Sequence, residues 1–121
     1  MTTPVGPYTP VVRSGDWIIC SGQVGLADGK LVEGGVREQL TQAMANVRSL
    51  LESEGATLAD VVKTTVFLVD MDDYSAMNDV YVQAFDEHAD GHRPARSAVA
   101  VAALPIGALV EVEAWARVPG S

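Results

Sequence analysis

The residues best suited to chemistry lie in one stretch, Pro94–Ala116. Arg96 begins an apolar run, and Glu111 and Glu113 lie in a second apolar run that starts after a Leu-Pro turn. An arginine holds a carboxylate through paired hydrogen bonds, and a carboxylate beside a water molecule can take up its proton. If both runs are strands of one sheet, we expect Arg96 and Glu111 to face a common small site. A structural salt bridge is the alternative that spacing leaves open.

The two acids are two residues apart, so on a strand they share one face. Two carboxylates that close can raise the pKa of one of them, which suits a general acid or base. A pair of solvated or ion-paired acids on an exposed strand has the same spacing. From spacing alone, an ordinary strand surface is therefore the preferred interpretation.

Weaker candidates lie elsewhere in the chain. Ser21 and Gly22 end an apolar run, where backbone N–H groups could bind an oxygen and Gly22 would allow close approach. Tyr8 belongs to a proline-containing arm, and Asn78 lies within an expected helix. Taken alone, these residues are better explained as a turn, a packing anchor and a solvent-facing amide.

Length and composition indicate one domain over residues 1–121, with 48% hydrophobic residues to form a core. We see no signal peptide and no apolar run long enough to cross a bilayer. The single cysteine, Cys20, lies in an apolar run and is interpreted as a buried hydrophobe. One cysteine suits a reducing compartment, so we expect a cytoplasmic protein.

The net charge is −8, from sixteen acids and eight scattered bases. This balance argues against a nucleic-acid partner and against an anionic membrane. A small anionic substrate remains possible, because one buried arginine can override a distant net charge.

No metal or organic cofactor is expected. His88 and His92 have a helical metal-ligand spacing, but Gly91 and Pro94 favour a loop there. The motifs of nucleotide binding, of serine hydrolases and of paired-cysteine zinc sites are missing.

Hydrophobic periodicity predicts an α+β domain with two helices packed on one face of a mixed sheet. The predicted elements, in order, are a hairpin of Val11–Arg13 with Trp17–Ser21, a helix over Val36–Glu54, a strand over Val61–Val69, a helix over Tyr74–Phe85, a polar loop over Asp86–Pro94, and strands over Ser97–Ala103 and Leu109–Arg117. Both faces of Val61–Val69 and of the last strand carry apolar residues, so we expect the second sheet face to pack on other copies of the chain.

The chain resembles the RidA/YjgF group of enamine/imine deaminases over Gly6 to about Ala116. The resemblance rests on segments in the family's order, namely Gly6-Pro7-Tyr8, Ser21-Gly22-Gln23, Val61–Leu68, the helix with Asn78 and Tyr81, Pro94-Ala95-Arg96-Ser97, Ala103-Leu104-Pro105 and Val110–Ala114. It implies a chorismate-mutase-like fold and a homotrimer with a site in each cleft between subunits. It also implies cofactor-free hydrolysis of 2-imino or 2-enamino acids, such as 2-aminoacrylate and 2-iminobutanoate, to 2-keto acids and ammonia.

By the same resemblance, Arg96 would clamp the substrate carboxylate and Glu111 would orient or activate the attacking water. Pocket-lining roles would fall to the remaining matched positions, which are Tyr8, Ser21, Gly22 and Asn78. Many members have cysteine two residues after the arginine, where this chain has Ala98. That departure keeps a second hypothesis open, a non-catalytic regulator that binds small carboxylates. A third hypothesis, an endoribonuclease, is disfavoured by the acidic balance.

Overall fold

The fold is an α+β arrangement of one main sheet and two helices, in a computed structural model that describes residues 6–120. In chain order the elements are β1 (Val11–Ser14), β2 (Trp17–Gln23), β3 (Leu26–Ala27), β4 (Lys30–Leu31), α1 (Val36–Ser53), β5 (Val61–Leu68), α2 (Tyr74–Ala89), β6 (Ala95–Ala100) and β7 (Val110–Arg117). Single 3₁₀ turns precede β5, α2 and β7. The predicted class, two helices with a mixed sheet, is confirmed.

The main sheet has the strand order β1-β2-β7-β5-β6. Only β5 and β6 run parallel, and α2 is the crossover that joins them. The strands β7 and β5 form an antiparallel pair at the centre, and β6 is an edge strand. Both helices cover the same sheet face, because α1 packs on β2 and β7 and also on α2.

Helix α1 forms where the hydrophobic periodicity of the sequence predicted it. Leu40, Met44, Val47 and Leu51 recur at threes and fours and are all buried. The helix begins after Gly35, whose N–H donates to the Glu38 side chain at 2.7 Å, and it is followed by Gly55 in the left-handed region at φ +78°. Its buried face forms one half of the core against the sheet.

Helix α2 continues to Ala89, beyond the predicted end at Phe85. The prediction of a loop from Asp86 is therefore wrong for its first turn. Phe85 and Ala89 both face the core at helical spacing, while polar residues between them cover the outer side. His92 follows the helix end, so it does not share a helical face with His88. Within residues 6–120 no three potential metal ligands cluster.

Strand β6 begins at Ala95 and ends at Ala100, earlier at both ends than predicted. Arg96 therefore lies within the strand, opposite Thr64 of β5. The early start follows from parallel pairing, because β6 takes its register from Lys63 onward in β5.

The two sheet faces differ in burial. On β5, Thr64, Val66 and Leu68 are buried beneath the helices, whereas Thr65 and Phe67 lie half-buried on the other face. We call this second face, which also carries the exposed Trp17, Val99 and Trp115, the open face. Within one chain, Val61–Val69 is therefore buried on the helix side only, and the packing of its second face on other copies stays a prediction. Neither helix of the described chain combines the length and hydropathy needed to cross a membrane.

Candidate active site

The guanidinium of Arg96 is held by one face of α2. Its Nη1 donates to Asn78 Oδ1 at 2.7 Å, and its Nη2 donates to Tyr74 Oη at 3.0 Å. The centre of the guanidinium lies 4.9 Å from the centroid of the Tyr81 ring and 5.6 Å from that of Tyr74. Cation–π contacts of this kind favour a fixed orientation of the planar fork.

Every one of these partners is neutral. The remaining contact of Nη1 is the sulfur of Met77 at 3.6 Å, and no carboxylate of residues 6–120 lies within ion-pair distance of Arg96. A half-buried cation without a counter-ion is typical of an anion-binding site. Among residues 6–120, the salt-bridge alternative is therefore not realised.

Helical spacing explains how α2 holds this one side chain. Tyr74, Met77, Asn78 and Tyr81 stand at positions i, i+3, i+4 and i+7, so they form one stripe along the helix. Sequence reasoning selected Asn78 but did not predict that Tyr74 and Met77 also contact Arg96. The pattern Tyr-x-x-Met-Asn-x-x-Tyr was the available signal, but such a stripe usually indicates only core packing.

Tyr81 is anchored from below. Its hydroxyl and that of Thr64 lie 2.7 Å apart in the core, where the two residues are 4% and 1% exposed. Burial raises the pKa of the Tyr81 phenol, while the Thr64 hydrogen bond and the charge of Arg96 oppose that shift. Tyr81 is therefore a neutral, buried ring beneath the cation.

Glu111 lies on the open face, directly over Gly22. A Cβ atom at Gly22 would stand 2.7 Å from Glu111 Cδ and Oε2, so a larger residue here would push the carboxylate out of this position. An irregularity in the β2–β7 pairing between Cys20 and Gln23 brings Gly22 to this place. The pKa of Glu111 is raised, first by burial and then by the charge of Glu113 on the same face.

Ser21 links this half of the site to the preceding arm. Its hydroxyl donates to the Thr9 carbonyl at 2.7 Å, and its N–H donates to the Pro10 carbonyl at 2.8 Å. These bonds fix the segment that carries Tyr8, whose side chain is exposed. Ser21, Gly22, Glu111 and the Tyr8 arm thus form one group of candidate residues.

Arg96 and Glu111 lie on opposite faces of the sheet. The register sets Arg96 beside Thr64, and Thr64 beside Ala114, all facing the helices. Glu111 is three residues from Ala114, an odd number, so its side chain points the other way. The prediction that Arg96 and Glu111 face a common site within one sheet is therefore wrong, and β5 also separates their two strands.

Ala98 and Cys20 contribute no reactive group. Ala98 lies half-buried on the helix side, two residues beyond Arg96, where it packs against the core. Cys20 is buried as predicted, and burial together with the charge of Glu54 raises the pKa of its thiol to about 12. A thiol with that pKa is protonated at neutral pH and is a poor nucleophile.

A family model described as endoribonuclease L-PSP matches residues 1–118 of the chain. The chain belongs to this family, which includes RidA and YjgF. The 2-iminobutanoate/2-iminopropanoate deaminase of Capra hircus is 46% identical over 114 residues, which cover 93% of this chain and 80% of the relative. The human protein of the same name is 42% identical with the same coverage. A RutC family protein of Pyrococcus horikoshii is 39% identical over 93% of this chain and 88% of its own length.

Solved structures of RidA/YjgF proteins share the fold. The YjgF gene product of E. coli superposes with a TM-score of 0.89 at 40% identity, covering 94% of this chain and 90% of that one. E. coli TdcF with bound serine gives a TM-score of 0.89 at 35% identity, with the same coverage. RidA of a Psychrobacter species gives 0.89 at 37% identity, over 96% of this chain and 92% of its own.

Proposed function

We propose that this protein hydrolyses reactive 2-imino or 2-enamino acids to 2-keto acids and ammonia. The observation that carries the proposal is Arg96, a half-buried cation oriented by four neutral side chains and paired with no acid of residues 6–120. Such a group fits the carboxylate of a small 2-imino acid. The deaminase names of relatives at 42 and 46% identity support the same substrate class.

The second group, around Glu111, reaches the substrate only if it comes from another copy of the chain. Arg96 and Glu111 lie on opposite sheet faces, so no motion of their side chains brings them together in one protomer. The open face carries exposed aromatic and aliphatic side chains that a second copy would cover. We infer a cyclic homotrimer in which each site takes Arg96, Asn78 and Ala98 from one copy and Glu111, Gly22, Ser21 and Tyr8 from the next.

The reaction needs a held anion and a base near one water molecule. Arg96 binds the carboxylate of the substrate. The ionised Glu111 is a better base because its pKa is raised, and it takes a proton from a water molecule. The oxygen of that water molecule bonds to the imine carbon at the same time. The C=N electron pair moves to nitrogen, which receives the proton. Glu111 then carries the hydroxyl proton of the resulting carbinolamine to the amino nitrogen. The C–N bond breaks as the C=O bond forms, which releases ammonia and the keto acid. No side chain at position 98 enters these steps, so Ala98 is compatible with them.

The test is the lifetime of an imine in the presence of the protein. A dehydratase acting on threonine generates 2-iminobutanoate, and the protein should accelerate formation of 2-oxobutanoate. Arg96→Met should lower kcat/KM by about 100-fold or more, because it removes a charged, doubly hydrogen-bonded contact. Arg93→Met is the matched control, since Arg93 is exposed and pairs with Asp86 at 2.8 Å. An imine lifetime that wild-type protein leaves unchanged would contradict the proposal.

The same assay separates the second candidate, a non-catalytic carboxylate-binding regulator, which Ala98 in place of the family's frequent cysteine favours. That function predicts saturable binding of 2-oxobutanoate that depends on Arg96 but no effect on the imine. RNA cleavage, the activity in the family model's description, fits the net charge of −8 less well.

A further inference from the structure

The phenol of Tyr74 is placed beside the proposed carboxylate site. Tyr74 opens α2 and is 40% exposed, and its ring stacks near the Arg96 guanidinium. Its Oη lies 3.0 Å from Arg96 Nη2. Since a guanidinium has only donors, the Tyr74 oxygen accepts this bond and its own hydrogen is not consumed by it.

The remaining donors of Arg96 define where an anion would sit. Asn78 and the Met77 sulfur occupy Nη1, and Tyr74 takes one hydrogen of Nη2. Among residues 6–120, no partner takes the Nε hydrogen or the second Nη2 hydrogen of Arg96. In a guanidinium, Nε–H and one hydrogen of a neighbouring Nη group form an edge that a carboxylate accepts bidentately.

We propose that Tyr74 is a second donor to the substrate carboxylate, with its hydroxyl held in place by Arg96. This inference rests on the proposed function, since it assigns a further residue to the same anion site. A carboxylate oxygen bound at Nη2 lies next to the Tyr74 hydroxyl, whose hydrogen then points to that oxygen. Donation from a cation polarises the O–H group and makes it a stronger donor.

Tyr81 cannot take this part, although it also contacts Arg96. Its hydroxyl is turned into the core and bonded to Thr64. The two tyrosines therefore have different roles. The ring of Tyr81 packs beneath the guanidinium, and Tyr74 is the exposed group at its edge. Removing the Tyr74 hydroxyl leaves the contact of the Tyr81 ring with the guanidinium unchanged.

The experiment compares Tyr74→Phe with Ser75→Ala, which removes an exposed hydroxyl from the neighbouring position of the same helix. The probes are 2-oxobutanoate, measured by calorimetry, and 2-iminobutanoate, measured by kinetics. Tyr74→Phe should weaken 2-oxobutanoate binding about tenfold, the usual effect of losing one hydrogen bond to a charged group. It should raise KM with kcat nearly unchanged, because the contact forms with substrate and transition state alike. Ser75→Ala should match the wild type.

The methyl ester of 2-oxobutanoate provides a readout that a merely structural role would not give. Wild type and Tyr74→Phe should bind this neutral probe equally weakly. The assignment of Tyr74 is wrong if the wild type binds the keto acid and turns over the imine but Tyr74→Phe binds the keto acid within about twofold of the wild-type affinity. It is equally wrong if Tyr74→Phe loses kcat at constant KM. In both cases the proposed function stands. If the wild type neither binds nor turns over, both are wrong.

Discussion

Arg96 and Glu111 are prepared for chemistry by opposite kinds of surroundings. The cation is stabilised by oxygen acceptors and aromatic faces that leave its charge unneutralised. The carboxylate is destabilised, because burial and the neighbouring Glu113 both disfavour its charged form. The first arrangement suits the proposed binding of an anion, and the second suits the proposed uptake of a proton.

The raised pKa of Glu111 makes the pH dependence of imine hydrolysis testable. Rate should fall with decreasing pH as Glu111 becomes protonated, and Glu113→Gln should move this acid limb to lower pH because it removes a neighbouring negative charge. Glu111→Gln should remove the limb and lower kcat by about 100-fold or more. Rate profiles taken from neutral pH into the acid range provide the measurement.

Stability gives the control for the same variants. A carboxylate whose pKa is raised on folding binds its proton more tightly in the folded state, so stability falls as pH rises above the unfolded value. Glu111→Gln should therefore leave the urea midpoint at pH 7 unchanged or higher, at equal protein concentration. A variant that loses activity and stability together would indicate a structural role instead.

At the scale of elements, the site depends on where α2 crosses the edge strand β6. The parallel pairing of β5 with β6 sets Arg96 beside Thr64, and α2 returns over both strands with its Tyr74–Tyr81 stripe facing them. The Thr64–Tyr81 bond joins the helix to the sheet directly beneath the cation. Loss of that bond should loosen the helix and the guanidinium together.

A double-mutant cycle tests this joint. Thr64→Val and Tyr81→Phe each leave one buried hydroxyl without its partner, so each should lower the free energy of unfolding by about 1–3 kcal/mol. The double variant should be less destabilised than the sum, since both polar groups are then gone. Urea unfolding measures all four proteins. Strict additivity of the two single effects would show that the hydroxyls do not depend on each other.

At the scale of the whole molecule, the proposed site is complete only where a second copy covers the open face. Trp17, Trp115 and Val99 are exposed there, beside the half-buried Phe67 and Glu111. Water-exposed apolar surface of this kind is stabilised when a second copy covers it. The same contact would bring Glu111 of one copy to Arg96 of another.

Subunit mixing tests the shared site. Arg96→Met and Glu111→Gln should each be inactive alone. Equal amounts of the two variants, unfolded and refolded together, should recover about a quarter of the wild-type activity, because about one interface in four then holds both native groups. The measurement is imine hydrolysis per total protein.

Refolding Arg96→Met with the Arg96→Met/Glu111→Gln double variant is the control for this mixing, and it should restore nothing. Activity of the mixed sample no greater than that of the separate variants would place both groups in one chain, against the geometry of the sheet.

Much of this protein could be predicted from local pattern. The periods of α1 and β5, the buried Cys20 and the shared face of Glu111 and Glu113 all follow from neighbours in sequence, because alternation and helical spacing are local properties. The end of α2 was missed because polar residues on an outer helical face look like a loop. The start of β6 was missed because its register comes from β5.

The sequence by itself determined which residues are candidates for chemistry, since residue type limits a side chain to binding an anion or to taking up a proton. The family motifs select Arg96 and Glu111 among them. Only the tertiary structure decided how they are arranged. Strand order places β5 between them, and the register of three strands turns their side chains to opposite faces. Strand order and register depend on contacts between distant segments, which no local pattern contains. For that physical reason, Arg96 and Glu111, which the sequence predicted to pair within one sheet, can share a site only between two copies of the chain.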